Sequence, residues 1–145
     1  MKISEQGIKL LIDREAKRNA VYLDSVGVPT VGVGHTGPDV HMGDVWSDER
    51  IMATFRADLE RFEKAVNDAV HVELEQHQFD ALVSFAFNVG IGAFSSSTLV
   101  KRINAKDFDD AEAQFDRWHI PPEITSRRNG EKAQFEGEAF QARIA

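Results

Sequence analysis

Apolar positions along the chain recur with two periods, and the change from one to the other marks its organisation. Ser4 is placed to cap a first helix, with Ile8, Leu11 and Ile12 at helical spacing behind it. That helix fades between Glu15 and Asn19. Val21-Tyr22-Leu23 is then β-branched and aromatic, and Asp24-Ser25-Val26-Gly27 supplies turn residues. Thr30-Val31-Gly32-Val33-Gly34 follows, a β-like run with glycine at alternate positions. A small twisted hairpin or three-stranded sheet is expected from Ala20 to Thr36. The regular glycines imply close backbone approach, by packing or by a ligand.

Beyond a loop marked by Gly37-Pro38-Asp39 and Met42-Gly43-Asp44, Ser47-Asp48-Glu49 opens a long helix. Ile51, Phe55, Leu59, Phe62 and Val66 form one apolar stripe along it, and it should stop near Val70. Gln76 to Val89 reads as a helix apolar around much of its circumference, hence central to the core, ended by Gly90-Ile91-Gly92. The Ser95–Thr98 segment caps a short helix to about Asn104. Asp107 opens another, with Phe108, Ala111, Phe115 and Trp118 on one face. Pro121-Pro122 breaks it. A last helix is expected from about Glu123 to Arg143, weakened by Gly130 and Gly137. The expected class is α+β in a single domain. Residues 1–46 hold the first helix and the sheet, 47–70 the connecting helix, and 71–145 the larger helical lobe.

Composition narrows the chemistry. The 145 residues contain no cysteine, which excludes disulfides, a thiolate nucleophile and a cysteine zinc site. The formal net charge of -7 argues against nucleic acid as a partner, which would call for a basic face. The five histidines lack the i,i+4 pairing of helical zinc sites, so neither metal nor cofactor is expected. No apolar run approaches a membrane span, and the N-terminal residues lack the apolar core of a secretory signal. Neither membrane insertion nor self-directed export is expected.

Two acids stand out by context. Glu15 closes the first helix, and Asp24 lies at the hairpin turn nine residues later, with Thr30 six further on. Glycosidic cleavage uses two carboxyl groups in different roles. One donates a proton to the leaving oxygen; the other stays ionised to support the developing positive charge or the water. A helix end and a polar turn suit those roles. Spacing alone leaves a bland alternative, because the chain has 24 carboxylates: a helix-end surface acid and an ordinary turn former.

The full string is more specific. Glu15, Tyr22-Leu23-Asp24, Gly27 and Pro29-Thr30-Val31-Gly32-Val33-Gly34-His35-Thr36 resemble the phage lysozyme (endolysin, muramidase) family, glycoside hydrolase family twenty-four. The Gln78–Gly90 helix, Phe94-Ser95-Ser96-Ser97-Thr98-Leu99, Arg117-Trp118 and Arg127-Arg128 continue the likeness in order, over essentially the whole chain. The resemblance implies a lysozyme-like fold, with Glu15 as general acid. Asp24 would stabilise the transition state or help activate water, and Thr30 would hold the attacking water. It implies an inverting hydrolysis of the β-1,4 bond between N-acetylmuramic acid and N-acetylglucosamine in peptidoglycan. Thr36, Phe87, Asn88 and Ser97 match positions lining the saccharide cleft of that family. Each keeps a structural alternative: Phe87 as core, Asn88 and Ser97 as helix-end caps, Thr36 as an ordinary loop residue. The resemblance also implies a monomer that waits in the host cytoplasm for holin-dependent release to the periplasm.

Three further readings follow from the same residues. His35 is expected to pair with an acid of the long helix, Asp58, with a raised pKa, rather than to act as a base. One of Arg127 or Arg128 is placed to approach Glu15; the alternative is that both are surface or interlobe residues. The His119–Ser126 segment departs from the family, being shorter and stiffened by two prolines, so its saccharide contacts do not transfer. A non-catalytic wall-binding module would not need the proton donor, and a lytic transglycosylase would not need a water-positioning pair. Both are therefore disfavoured.

Acid excess is greatest in residues 51–100, where seven acids face three bases. Recognition of an anionic wall must then come from short-range contacts rather than long-range attraction. Wall-degrading activity is predicted to hold between low and physiological ionic strength. A steep loss over that range would show charge-steered binding instead.

Overall fold

Helix α3 (Gln76–Val89) has the bounds expected from its apolar pattern, and residues Phe79 to Ala86 are all buried. The computed structural model describes residues 1–118 and 122–137. Before α3 come α1 (Glu5–Glu15), β1 (Arg18–Leu23), β2 (Pro29–Gly32) and α2 (Asp48–Ala69). After it come α4 (Ile91–Ser95), α5 (Thr98–Asn104), α6 (Phe108–Gln114) and α7 (Thr125–Glu136). Single 3-10 turns lie at Phe115–Arg117 and Pro122–Ile124. The chain separates into two compact units: Ile12–Glu60, and Met1–Leu11 with Arg61–Ala145. These divisions fall inside α1 and α2, whereas the sequence reading drew its lobes at loops. Just ahead of α1, Ser4 bonds Asp80 of α3 through its N–H and its hydroxyl.

In that helical unit, α3 packs against α7 and α4. Phe85 lies at the centre of an aromatic group. Its ring centroid is 5.6 Å from Phe115, 5.3 Å from Trp118 and 6.3 Å from Phe94, all in edge-on arrangements. Such rings gain about 0.5–1.5 kcal/mol per pair beyond their burial. Two elements differ from expectation. Gly90, at φ +96°, ends α3 but also opens α4 at once, so the glycines mark a corner rather than a stop. Gly137, at φ +93°, ends α7 through N–H bonds to Ala133 and Gln134 carbonyls, the αL cap that glycine favours. The expected continuation to Arg143 lies outside the described residues, as do His119, Ile120 and Pro121.

The smaller unit is built on an antiparallel β1–β2 hairpin, with Tyr22 opposite Thr30 and a register shift between Arg18 and Tyr22. No third strand forms among the described residues. Val31 and His35 exchange both backbone hydrogen bonds at 2.9 Å, so the glycine run turns back on itself. Gly32 (φ +66°) and Gly34 (φ +74°) supply the left-handed conformations this needs. A side chain at Gly32 would also press to 3.0 Å from Ile51, so packing accounts for that glycine. Ala20 and Val45 form one isolated bridge on the other edge. Helix α2 starts as expected: the Ser47 hydroxyl accepts from the Arg50 N–H at 3.2 Å. All five residues of its apolar stripe, Ile51, Phe55, Leu59, Phe62 and Val66, are buried.

Gly7 shows which of two opposed effects wins. Asp80, only 3% exposed, anchors the start of α1 by accepting from the Ser4 N–H at 3.0 Å, the Ser4 hydroxyl and the Gln76 amide at 2.8 Å. A Cβ on Gly7 would lie 2.6 Å from the Asp80 carboxyl carbon. Alanine in a helix is favoured over glycine by about 0.5–1 kcal/mol, but overpacking a buried site costs about 1–3 kcal/mol. Gly7→Ala is therefore predicted to lower unfolding free energy by about 1–2 kcal/mol in urea titration. A stabilised variant would show that Asp80 yields freely.

Candidate active site

Four of the sequence-derived candidates, Glu15, Asp24, Thr30 and Thr36, belong to the Ile12–Glu60 unit; Phe87, Asn88 and Ser97 belong to the other. Glu15 is the last residue of α1 and half-buried. Ala16 leaves the helix at φ +65°, a conformation costing a non-glycine residue about 1–2 kcal/mol. Its N–H still closes the last turn on Ile12 at 2.8 Å. Two residues on, β1 begins, and its start is fastened to that of α2. The Asn19 amide donates to the Trp46 carbonyl at 2.9 Å and to Asp48 at 2.8 Å, and Lys17 reaches Asp48 at 2.7 Å. The Asn19 and Lys17 bonds hold the Asp48 carboxyl below the usual carboxylate range.

The hairpin brings Asp24 and Thr30 together through one residue between them. Asp24 Oδ1 accepts from the Val26 and Val28 N–H groups, both at 2.9 Å. The Val28 carbonyl accepts from the Asp24 N–H at 3.0 Å and from Thr30 Oγ1 at 2.9 Å. Asp24 Oδ2 receives no hydrogen bond from the described residues. Thr30 is 4% exposed, and its hydroxyl proton is committed to Val28. What Thr30 still offers is an acceptor lone pair. The hairpin thus presents two oxygen acceptors six residues apart, both bonded to the backbone of one residue, Val28.

The remaining candidates divide by exposure. Thr36 is exposed in the loop after His35. Phe87 is half-buried against Phe62, ring centroids 5.1 Å apart. Ser97 is 5% exposed and caps α5: its hydroxyl donates to the Phe94 carbonyl at 2.7 Å and accepts from Val100 N–H at 3.2 Å. A sugar could only donate to it. Asn88 is exposed, and its side-chain oxygen accepts from Arg128.

Arg127 and Arg128 are not merely surface residues. Arg128 and Glu131 are fully buried and bonded to each other. Arg127 donates to Glu131 at 3.1 Å and to the Ser84 carbonyl at 2.9 Å, and the Ser84 hydroxyl donates to Glu131 at 2.6 Å. Arg128 also reaches the Trp118 carbonyl at 3.1 Å. The sequence reading named the two arginines but missed Glu131. Its spacing of three and four residues from them on one helix was the available signal.

His35 pairs with Asp58 as expected, Nδ1 to Oδ2 at 2.7 Å. Asp39, which the sequence reading did not name, brackets the other ring nitrogen at 3.1 Å. Burial opposes the charge on His35, but the hydrogen bonds and charges of Asp58 and Asp39 outweigh it and raise the pKa above 6.5. The His35 hydrogen bond in turn lowers the pKa of Asp39. The described residues hold no group of three or more His, Cys, Asp or Glu able to bind a metal. Nor do they contain a helix long and apolar enough to cross a membrane.

Hairpin, glutamate-ended helix and phenylalanine-rich helical unit give this chain a lysozyme-like α+β fold. A crystal structure of a variant of the lysozyme of phage P22 matches it with a TM-score of 0.88 at 38% identity, covering 94% of this chain and 99% of that one. The sequence profile of the phage lysozyme family matches residues 13–131, and the chain belongs to that family. The endolysin of Salmonella phage P22 is 38% identical over 143 residues, 93% of this chain and 98% of its own length. The endolysin of Bacillus phage B103 is also 38% identical, but this chain spans about half of it, 54%.

The pH dependence of His35 has a definite sign. A pKa raised by folding stabilises the protein fully below the unfolded value near 6.5, and that contribution is lost as pH rises through the folded value. Melting temperature is predicted to lose this increment above pH 6.5 in the parent and to lose less in Asp58→Asn, where Asp39 alone remains on the ring and the NMR titration of His35 shifts downward. An unchanged His35 titration in that variant would remove Asp58 as the cause.

Proposed function

We propose that this protein is an endolysin-type muramidase that hydrolyses the β-1,4 bond between N-acetylmuramic acid and N-acetylglucosamine in peptidoglycan, for lysis of the host cell. The observation that carries the mechanism is the pair of unused acceptors on the hairpin, Asp24 Oδ2 and the Thr30 Oγ1 lone pair. A water molecule that donates one proton to each points its own lone pairs elsewhere, toward an electrophile. Membership of the phage lysozyme family supports the substrate class.

In the proposed reaction Glu15 protonates the glycosidic oxygen as the C–O bond breaks. Positive charge develops on the anomeric carbon and ring oxygen, and the ionised Asp24 supports it. The water held by Thr30 and Asp24 attacks that carbon directly and passes its proton to Asp24. Bond cleavage and water attack then occur in one displacement, which inverts the anomeric centre. Thr36, Phe87, Asn88 and Ser97 serve the saccharide: Phe87 offers an apolar ring face, and the others offer polar partners for hydroxyl and acetamido groups. The chain works as a monomer without cofactor, with no nucleic-acid partner and no membrane insertion. Release from the host cytoplasm to the periplasm depends on a holin.

Glu15→Gln keeps the shape of the side chain and removes only the donated proton. Activity on purified murein is predicted to fall by about 10²–10⁴-fold, with an unchanged far-ultraviolet spectrum. Mass spectrometry of the parent's products should give reducing muropeptides. Anhydro ends would replace hydrolysis by transglycosylation, and comparable activity in the variant would remove Glu15 as the acid.

A further inference from the structure

Asn88, the next-to-last residue of α3, is exposed, with one end of its amide already assigned. Arg128 Nη2 donates to it, and a guanidinium has five donors and no acceptor. The atom facing Arg128 must therefore be the amide oxygen. The NH2 end then faces away from Arg128 and donates to none of the described residues. Asn88 is next to Phe87, which is half-buried against Phe62.

Arg128 is fixed in its turn. It is fully buried, its Nε donates to the Trp118 carbonyl at 3.1 Å, and Nη1 meets the fully buried Glu131. Its guanidinium carbon lies 5.0 Å from the centre of the Phe85 ring. Glu131 is itself held by the Ser84 hydroxyl at 2.6 Å and Arg127 Nε at 3.1 Å. A surface asparagine would normally rotate between amide orientations at little cost. Here a buried ionic network, fully hydrogen-bonded, selects one. Such a network is weak as a source of net stability, because two desolvated charges offset much of their attraction. Fixing an exposed polar group is a use that does not depend on that balance.

We infer that Arg128, backed by Glu131, is a positioning residue that makes Asn88 an obligate hydrogen-bond donor to the saccharide. Asn88 then reads an uncharged acceptor oxygen, an acetamido carbonyl or a ring hydroxyl, and discriminates against an anionic or donor-only group at that place. This rests on the reading above that Asn88 touches saccharide, and it adds the polarity of that contact and the residues that set it.

The test uses the full chain, its Asn88→Asp and Asn88→Ala variants, and soluble murein glycan strands. Aspartate keeps an oxygen toward Arg128 and strengthens that bond, since the acceptor becomes charged. Its outward atom turns from donor to acceptor. The expected result is a melting temperature no lower than the parent's, KM raised about tenfold or more, and kcat little changed, as for a contact equal in ground and transition states. Alanine, which presents nothing outward, should raise KM less than aspartate does. If the aspartate variant keeps the parent's KM, or alanine is the worse of the two, the obligate-donor assignment is wrong. Partly de-N-acetylated strands identify the oxygen: the aspartate penalty vanishes on them if it is the acetamido carbonyl and persists if it is a hydroxyl. A parent that releases no reducing ends would instead overturn the muramidase reading, and this inference with it.

Discussion

Val28 ties Asp24 to Thr30. Its N–H goes to the Asp24 carboxylate, and its carbonyl takes both the Asp24 N–H and the Thr30 hydroxyl. Five hydrogen bonds thus close on one short turn, counting that from the Val26 N–H to the Asp24 carboxylate and that from the Gly27 N–H to the Asp24 carbonyl. Gly27, at φ +82°, supplies the backbone conformation that lets the turn close. The consequence is chemical as well as structural. Each of the two side chains spends part of its hydrogen-bonding capacity on the turn and keeps the rest. Asp24 keeps Oδ2, and Thr30 keeps an acceptor. Neither is a free surface side chain, and neither is fully consumed by the fold.

The rest of the smaller unit serves to hold that turn. The Val31–His35 turn anchors the far end of β2, and His35 is clamped by Asp58 from α2 and Asp39 from the loop. Lys17 and Asn19 fix the start of β1 to the start of α2. Glu15 enters this unit just ahead of β1, where Ala16 ends α1 in a left-handed conformation. In the helical unit the corresponding rigid element is the buried Ser84–Glu131–arginine network, which reaches the exposed Asn88. Both units therefore present polar groups whose orientation is set by buried or backbone partners.

How far these features could be read from the sequence depends on the range of the forces involved. Helix α3 and the α2 stripe were legible because burial imposes a period on many residues at once. The caps at Ser4, Ser47, Ser97 and Asp107 were legible because they act within three residues. Helix α4 was not, since Gly90 looks like a terminator and its second use as a corner depends on what packs around Phe94. Hairpin and three-stranded sheet stayed open because alternate glycines suit either a strand or a turn; the positive φ of Gly32 and Gly34 and the paired Val31–His35 bonds make it a turn. Within the candidate site, Glu15, Asp24 and Thr30 stood out as a string, but the role of Val28 did not, because a valine backbone carries no signature. The partner of the two arginines, Glu131, was one acid among 24, and only burial distinguishes it.

Direct attack by a water held on Asp24 and Thr30 is the central claim, and the configuration of the fresh reducing end reports on it. Proton NMR during the first minutes of murein hydrolysis, before mutarotation mixes the anomers, observes that configuration without further assumption. A single displacement on a β-linked sugar predicts the α-anomer first. Initial appearance of the β-anomer would mean two displacements through a covalent intermediate, and would contradict a hairpin that exists to aim water.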